Sequence, residues 1–312
     1  MYIYYLYTDN IYIDQSHTIF MLLQPPLVSC CISTWNRLHD LVTCVESIQR
    51  QNYPNLEIVI VDNCSDDGTF EYCMELGCIY HRMEHSNYSA METLNLAFSL
   101  ASGKYILVID DDAQLVNSNA VQIAVDYMED SPDVFAVAYN IPYNTEYTFS
   151  DNKMCVPEFC GAAALMRRDI GEILQWYDKG LYIYGNELDL CIRAYIHGYR
   201  VVYLHDCIAK HKKSVVFGSA SGYIRNKYAL KNSLHAVIKY YGWKYRVKMT
   251  ILYGMGHIYY ILWSKYKIRL FLWWVPWYMK SLVSLIRINE LQAPCWIQDY
   301  YYKRLLRMIG VA

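Results

Sequence analysis

The feature that most constrains the fold is an alternation between short apolar runs and longer amphipathic segments. "LVSCCIS" (Leu27 to Ser33) and "LEIVIVD" (Leu56 to Asp62) are typical of buried strands, and a third such run leads into "GKYILVIDDDAQL". Between the first two runs, "RLHDLVTCVESIQRQ" carries apolar residues at helical spacing. Strands that alternate with helices predict an α/β fold, with a mostly parallel central sheet, right-handed crossovers and helices on both faces.

Polar clusters follow three of these predicted strands. They are Ser33 to Arg37, Asp62 with Asn63, and Asp110 to Asp112. Because ligands of such sheets bind at the carboxyl ends of the strands, we expect the three clusters to meet at one edge. Adjacent carboxylates repel each other, so three in a row indicate either a solvated turn or a bound cation.

Composition narrows the class of protein. The chain has 312 residues, of which 54% are hydrophobic and 19% charged, so it can bury a large core. The net charge of −2 gives no general attraction to nucleic acid, so we expect no nucleic-acid partner. The odd number of cysteines, 11, favours free thiols in a reducing cytoplasm.

The two ends of the chain differ from its centre. The first 26 residues lack the pattern of a signal peptide, and we interpret 1–26 as an N-terminal extension. From 214 to 312, long aromatic-rich helical stretches carry Lys and Arg at their edges. Such helices either lie in a membrane interface, which we favour, or pack on the main domain or on a second subunit. Residues 27–213 form the predicted α/β domain.

Several motifs in this order resemble the family-2 glycosyltransferases with a GT-A fold, and among them the rhamnosyltransferase-like subgroup. The matching stretches are "VSCCISTWNR", "QNYPNLEIVIVDNCSDDGT", "YILVIDDDAQL", "CGAAALMRRD" and "NELDLCIRAYIHGYRVVYLHDCIAKHK". They span about Leu27 to Lys213. The resemblance implies a nucleotide diphosphate sugar donor and a divalent cation, Mg²⁺ or Mn²⁺.

The acidic turn matches the Asp-x-Asp motif of that family. Asp110 and Asp112 are two residues apart, so on an extended backbone they face the same side. The resemblance implies that Asp112 binds the metal directly, with Asp110 in the metal shell or on the ribose. The resemblance places Asp111 among the donor-binding residues. His211 matches a histidine of the family that completes the metal coordination, and His205 is the alternative candidate for that position.

The same resemblance assigns the nucleotide pocket. Asp62 matches an aspartate that accepts a hydrogen bond from the base, and the residues that accompany it are Thr34, Asn36, Arg37 and Asn63. Asn87 and Asn95 match an Asn-x-Gly-x5-Asn pattern around the donor, in which Ser89 here replaces the glycine.

The catalytic base is expected where the family has Glu-Asp-x-Asp. This chain has Asn186-Glu187-Leu188-Asp189, so Glu187 takes the place of the presumed base and Asp189 is the alternative. Either acid also suits the first turn of a helix without any catalytic role. The resemblance implies an inverting single displacement onto a hydroxyl of a glycan or lipid-linked glycan.

Two other functions remain open at this stage. One is an inactive nucleotide-sugar-binding relative that acts as a membrane-associated assembly partner, which the departure at Asn186 and Glu187 motivates. The other is a nucleotidyltransferase, for which "STWNRLHD" has only one arginine and no glycine. We expect a cytoplasmic protein with a peripheral contact to the cytoplasmic membrane face.

Overall fold

The computed structural model describes residues 24–86, 88–142, 151–212, 222–263, 267–284 and 292–308. Most of the expected N-terminal extension and Asn87 lie outside the described residues. The strands are β1 (Val28–Thr34), β2 (Leu56–Asp62), β3 (Ile79–Arg82), β4 (Tyr105–Ile109), β5 (Ala113–Leu115), β6 (Val134–Asn140), β7 (Met154–Cys155), β8 (Ala163–Arg167) and β9 (Arg200–His211). They form one sheet in the order β3-β2-β1-β4-β8-β6-β9-β5, with β7 beside β9.

Six helices flank the sheet. They are α1 (Leu38–Gln49), α2 (Thr69–Leu76), α3 (Ala90–Leu100), α4 (Ala120–Glu129), α5 (Arg168–Leu174) and α6 (Asn186–Ile196). Because successive strand residues point to opposite faces, Cys30 packs in the core beneath α1 and α4, and Cys31 in the core beneath α3 and α6. Both faces are therefore covered. The predicted GT-A arrangement, a mostly parallel sheet with helices on both faces, is confirmed. All eleven cysteines are free thiols.

One interior strand runs against the others. β8 is antiparallel to both β4 and β6, whereas β1, β2, β3, β4, β6 and β9 are mutually parallel. Its sequence, rich in alanine, carries no signal for strand direction. The reversal brings the amino end of β8 beside the carboxyl end of β4, where Ile109 pairs with Ala163.

The last strand pairs with two different strands in turn. β9 pairs with β6 along its first half, shifts register between Leu204 and Ile208, and then pairs with β5. His211 is the last residue of β9 and lies opposite Ala113.

Four helices follow β9 among the described residues: α7 (Gly222–Tyr240), α8 (Trp243–Trp263), α9 (Lys267–Ser284) and α10 (Cys295–Met308). Side chains of α7, α8 and α10 share a core with Leu188 and Ile192 of α6. The inner faces of these helices thus pack on the main domain. None of the described helices combines the length and the apolar character that crossing a bilayer requires.

Candidate active site

The acidic turn after β4 has a counter-charge. Nη1 of Arg37 lies 2.8 Å from Oδ1 of Asp111 and 3.2 Å from Oδ2 of Asp112. The hydroxyl of Thr34, the last residue of β1, donates a 2.8 Å hydrogen bond to the other oxygen of Asp111. The parallel pairing of β1 with β4 brings these residues together, so the first and third polar clusters meet as predicted.

Burial changes the acidity of this turn. Asp111 is almost fully buried, which raises its pKa to about 6, while the guanidinium of Arg37 opposes that rise. Desolvation also raises the pKa of Asp110, with the charge of His211 acting against it and that of Asp112 adding to it. The turn therefore holds excess negative charge that a second cation would relieve.

Three side chains could hold that cation. Ligand atoms of Asp110, Asp112 and His211 all lie within 4.8 Å of one another, and Nε2 of His211 is 3.0 Å from Oδ1 of Asp112. The pairing of Ala113 with His211 positions the imidazole. Two carboxylates and one imidazole suit Mn²⁺ or Mg²⁺. His205, the competitor, is exposed and lies 3.3 Å from Asp206, so it does not belong to this cluster.

The second polar cluster is tied to the first by hydrogen bonds. Asp62 is fully buried; one of its oxygens accepts from the backbone and the hydroxyl of Ser65, and the other accepts from Tyr80. Asn36, at φ 50°, donates its backbone N–H to Ser65 and accepts from the backbone of Asp66. Asp62 therefore shapes the loop that bears Asn36.

The remaining described donor candidates, Asn63 and Asn95, lie on the loop after β2 and on α3. The amide of Asn63 donates to the carbonyl of Tyr88, in the segment that precedes α3. Asn95, on α3, accepts from the backbone N–H of Tyr177 and donates to its carbonyl. Asn95 therefore anchors the segment around Tyr177, outside the acidic cluster. Ser89, at the position of the family's glycine, forms a capping box with Glu92.

Glu187 occupies the first turn of α6, and its carboxylate lies against Gly161, where a Cβ would overlap Oε1. The backbone N–H of Asp110 donates to Ala162, the next residue, at 3.3 Å. Burial raises the pKa of Glu187 to about 8, and the negative charges of Glu158 and Asp110 act in the same direction. Glu187 thus lies at the acidic edge of the sheet.

Asp189 has a different environment. It is 1% exposed, and its carboxylate is bound by Arg193 at 2.7 Å, by the hydroxyl of Tyr240 at 2.7 Å and by Lys239 at 3.3 Å. These contacts join α6 to α7. The structure therefore separates the two candidate bases: Glu187 faces the predicted site, and Asp189 lies in an ion-pair network.

Three residues of the site were not identified from the sequence. Glu158 is 9% exposed and is paired with Arg304 of α10 at 3.2 Å, although the two are 146 positions apart. Trp35 is 41% exposed on the loop between Thr34 and Asn36. The only sequence signal for Trp35 was its place inside a polar cluster, and none existed for the Glu158–Arg304 pair.

A mixed sheet that collects an Asp-x-Asp pair, a histidine and a half-buried glutamate at one edge has the architecture of a GT-A glycosyltransferase. Residues 29–188 match the family model described as Glycosyl transferase family 2. The chain belongs to this family.

Curated relatives match over shorter regions. GlyG of Streptococcus pneumoniae serotype 4, a glycosyltransferase, is 28% identical over 155 residues, which cover 47% of this chain and 51% of GlyG. WcaA of Escherichia coli K12, described as a putative colanic acid biosynthesis glycosyl transferase, is 37% identical over 91 residues, 28% of this chain and 33% of WcaA. The matched regions thus span about half or less of these relatives.

Solved structures share the fold. The mannosyltransferase PcManGT from Pyrobaculum calidifontis, in complex with GDP-Man and Mn²⁺, has a TM-score of 0.58 at 16% identity and covers 92% of this chain and 81% of its own. S. aureus TarS 1–349, in complex with UDP-GlcNAc, has a TM-score of 0.57 at 15% identity and covers 83% and 80%. At these identities the likeness shows the GT-A fold alone.

Proposed function

We propose that the protein is a divalent-cation-dependent, inverting glycosyltransferase that moves a hexosyl or deoxyhexosyl group from a nucleotide diphosphate sugar to a hydroxyl. The observation that carries this proposal is the cluster of Asp110, Asp112 and His211 at the edge that also holds Glu187. Structural neighbours bind GDP-Man with Mn²⁺ and UDP-GlcNAc, which supports a nucleotide sugar and a cation here.

Each group at the site has a chemical task. A bound Mg²⁺ or Mn²⁺ would supply positive charge to the departing diphosphate. Asp112, Asp110 and His211 would hold that ion, and Arg37 limits the repulsion among the carboxylates. The nucleotide is proposed to lie along Thr34, Asn36 and the loop shaped by Asp62 and Asn63. A direct contact between Asp62 and the base stays a prediction, as do the donor contacts of Asn87, Asn95 and Asp111.

Glu187 is the proposed general base. The acceptor oxygen forms a bond to the anomeric carbon, the bond from that carbon to the diphosphate breaks, and the hydroxyl proton passes to the carboxylate of Glu187. A single displacement of this kind inverts the anomeric centre. A pKa raised to about 8 makes Glu187 a stronger proton acceptor than an ordinary carboxylate.

The acceptor is proposed to be a glycan or lipid-linked glycan at the cytoplasmic face of a membrane. The helical region after β9 motivates this choice, because it is rich in Trp, Tyr, Lys and Arg, as helices at membrane surfaces are, and because α7 and α10 pack on α6, the helix that bears Glu187. Membership of the rhamnosyltransferase-like subgroup stays a prediction.

Calorimetry of the purified chain tests the proposal. UDP, GDP and dTDP are titrated in turn with Mn²⁺ or with EDTA. We expect one of them to bind in Mn²⁺ and to lose at least tenfold in affinity in EDTA and in Asp112→Asn. Asp130→Asn is the matched control, because this exposed carboxylate precedes β6 at the opposite edge of the sheet.

Two results would contradict the proposal. Equal nucleotide affinity in EDTA and in Mn²⁺ would show that no cation takes part in nucleotide binding. Cation-dependent binding without release of nucleoside diphosphate, with any sugar donor or acceptor supplied, would favour the inactive nucleotide-sugar-binding relative.

A further inference from the structure

Charge is distributed very unevenly along this chain. From Cys207 to Asn289 there are 15 Lys and Arg residues and not one Asp or Glu. The rest of the chain carries the other 13 basic residues and all 30 acidic ones. The net charge of −2 therefore conceals a strongly basic segment, which attracts anionic surfaces locally.

The longest helix of this segment leaves an apolar face uncovered. On α8, Trp243, Val247, Ile251, Met255 and Ile258 are 66, 37, 53, 60 and 50% exposed. Their spacing of four, four, four and three residues places them within about a third of the helix circumference. We call these five side chains the α8 stripe. Single exposed apolar residues are common, but a continuous row marks a surface for binding.

Packing holds α8 in place both opposite the stripe, at Met249, and along one edge of the stripe, at Thr250 and Gly254. Met249 and Thr250 are fully buried, and the hydroxyl of Tyr278 on α9 donates to the carbonyl of Thr250 at 2.9 Å. The ring of Tyr278 lies so close to Gly254 that a Cβ there would overlap it. The orientation of the stripe is therefore fixed by packing.

Basic side chains border the stripe. Lys244 and Lys248 are exposed one position after Trp243 and Val247, on the flank of the same face. An apolar face with a tryptophan and flanking lysines fits the headgroup region of a bilayer, where the apolar side chains enter the acyl boundary and the ammonium groups meet lipid phosphates.

From these observations we propose that the α8 stripe, with Lys244 and Lys248, docks the protein on the surface of a membrane that contains anionic phospholipids. A second copy of the chain fits less well, because self-association through α8 would bring two basic segments together. Nucleic acid fits less well too, because its phosphates offer nothing to five apolar side chains.

The purpose of this docking surface rests on the proposed function: it would bring the enzyme to an acceptor on the membrane. The stripe and Glu187 belong to one packed body, since α8 shares a core with α6. Docking through α8 would hold the catalytic edge at a constant height above the bilayer. An acceptor sugar carried on a membrane lipid would then reach Glu187 without leaving the surface.

Liposome flotation of the full chain tests the docking surface without donor or acceptor, so its outcome is independent of catalysis. Vesicles of phosphatidylcholine alone are compared with vesicles that contain phosphatidylglycerol as a third of the lipid. We expect the parent protein to float only with the anionic vesicles. The double change Ile251→Glu with Met255→Glu should lower the bound-to-free ratio at least tenfold.

Further variants separate the contributions. Lys244→Gln with Lys248→Gln should weaken flotation roughly fivefold per lysine, because each adds about 1 kcal/mol near an anionic surface. Ile173→Glu is the matched control, since Ile173 is 61% exposed but lies on α5, and it should float like the parent. All variants should keep the parental melting temperature within a few degrees and the parental transfer to a soluble acceptor.

Three outcomes would overturn the proposal. The first is a parent protein that stays at the bottom of the gradient with anionic vesicles. The second is flotation that the changes at Ile251 and Met255 leave unaltered. The third is a parent dimer in light scattering that these two changes convert to monomer, because the stripe would then be an interface between two copies.

Discussion

Glu187 packs its carboxylate directly against Gly161, at a place where any larger residue would overlap Oε1. The contact exists because β8 runs antiparallel to β4 and so brings Gly161 and Ala162 beside Asp110. The glycine is needed here for space, which is a different requirement from the positive φ of a turn. The position of the proposed base is therefore set by a residue 26 positions earlier in the chain.

Gly161→Ala should lower sugar transfer without unfolding the protein. The added methyl group meets the end of a flexible side chain, so Glu187 can move away at little cost in stability, but its carboxylate then leaves its position. We expect transfer to fall by about tenfold to a hundredfold, because small misplacements of a catalytic group have effects of that size. Initial rates and nucleotide affinity are measured together.

The control for this change is Gly180→Ala. Gly180 is exposed, and its added methyl group would meet only the carboxylate of Asp178, with Oδ1 at 3.1 Å. It should transfer sugar at the parental rate. A Gly161→Ala protein that is fully active would show that Glu187 does not need its observed position.

Glu187→Gln and Asp189→Asn should fail in different ways. Glu187→Gln removes the proton acceptor and should cost about two to four orders of magnitude in transfer, with donor affinity unchanged. Asp189→Asn leaves the partly exposed Arg193 and Lys239 without the carboxylate that pairs with both, so the free energy of unfolding should fall by about 1–3 kcal/mol. Denaturant titration and initial rates separate the two. A folded, stable, inactive Asp189→Asn would reverse the assignment.

Transfer should increase with pH through the ionisation of Glu187. Burial raises the pKa of Glu187 to about 8, and the charges of Glu158 and Asp110 contribute. A cation bound beside Asp110 would cancel one of these charges, so the midpoint of kcat/KM should lie between an ordinary carboxyl value and 8. Glu158→Gln should move the midpoint to lower pH, while Glu172→Gln, on the exposed face of α5, should leave it unchanged. A profile that is flat from pH 5 to 9 would contradict this prediction.

The same ionisation should appear in the stability of the metal-free protein. The folded state holds the proton of Glu187 more tightly than the unfolded chain does, with a pKa of about 8 against 4.5. The free energy of unfolding should therefore decrease as the pH rises between these two values. In Glu187→Gln that contribution disappears, so urea titrations at several pH values should show a shallower dependence. Equal slopes in the two proteins would mean that Glu187 titrates normally.

Arg37→Met should make the thermal stability of the protein depend more strongly on added cations. Without the guanidinium, Asp111 and Asp112 lose their counter-charge, and the melting temperature at neutral pH should fall by several degrees. Added Mn²⁺ should then raise the melting temperature more than in the parent, because the ion stabilises the folded state by binding it. Arg50→Met, which breaks an exposed pair with Glu46, is the control. If Mn²⁺ raised the melting temperature equally in both variants, Arg37 would have no influence on the cation site.

The sequence by itself determined the framework of the fold and the edge that carries the chemistry. Buried strands have continuous apolar runs and helices have a period of 3.6 residues, so both are local signals. Because strands of one direction end at one edge, Thr34 and Asp111 could be expected to meet, and they form a hydrogen bond. The Asp-x-Asp pair was identified through the family resemblance; it lies in a turn between β4 and β5, so the expectation of an extended backbone at this pair was wrong.

Tertiary structure decided what depends on long-range pairing. The direction of β8 and the pairing of β5 with β9 are fixed by contacts between distant segments, and they bring Gly161 to Glu187 and His211 to Asp112. The sequence placed Glu187 at the position of the presumed base and left Asp189 open as the alternative. Residues two positions apart on a helix point about 200° away from each other, so one faces the acidic edge and the other faces α7. Only the packing of α6 between the sheet and the C-terminal helices could assign those two directions.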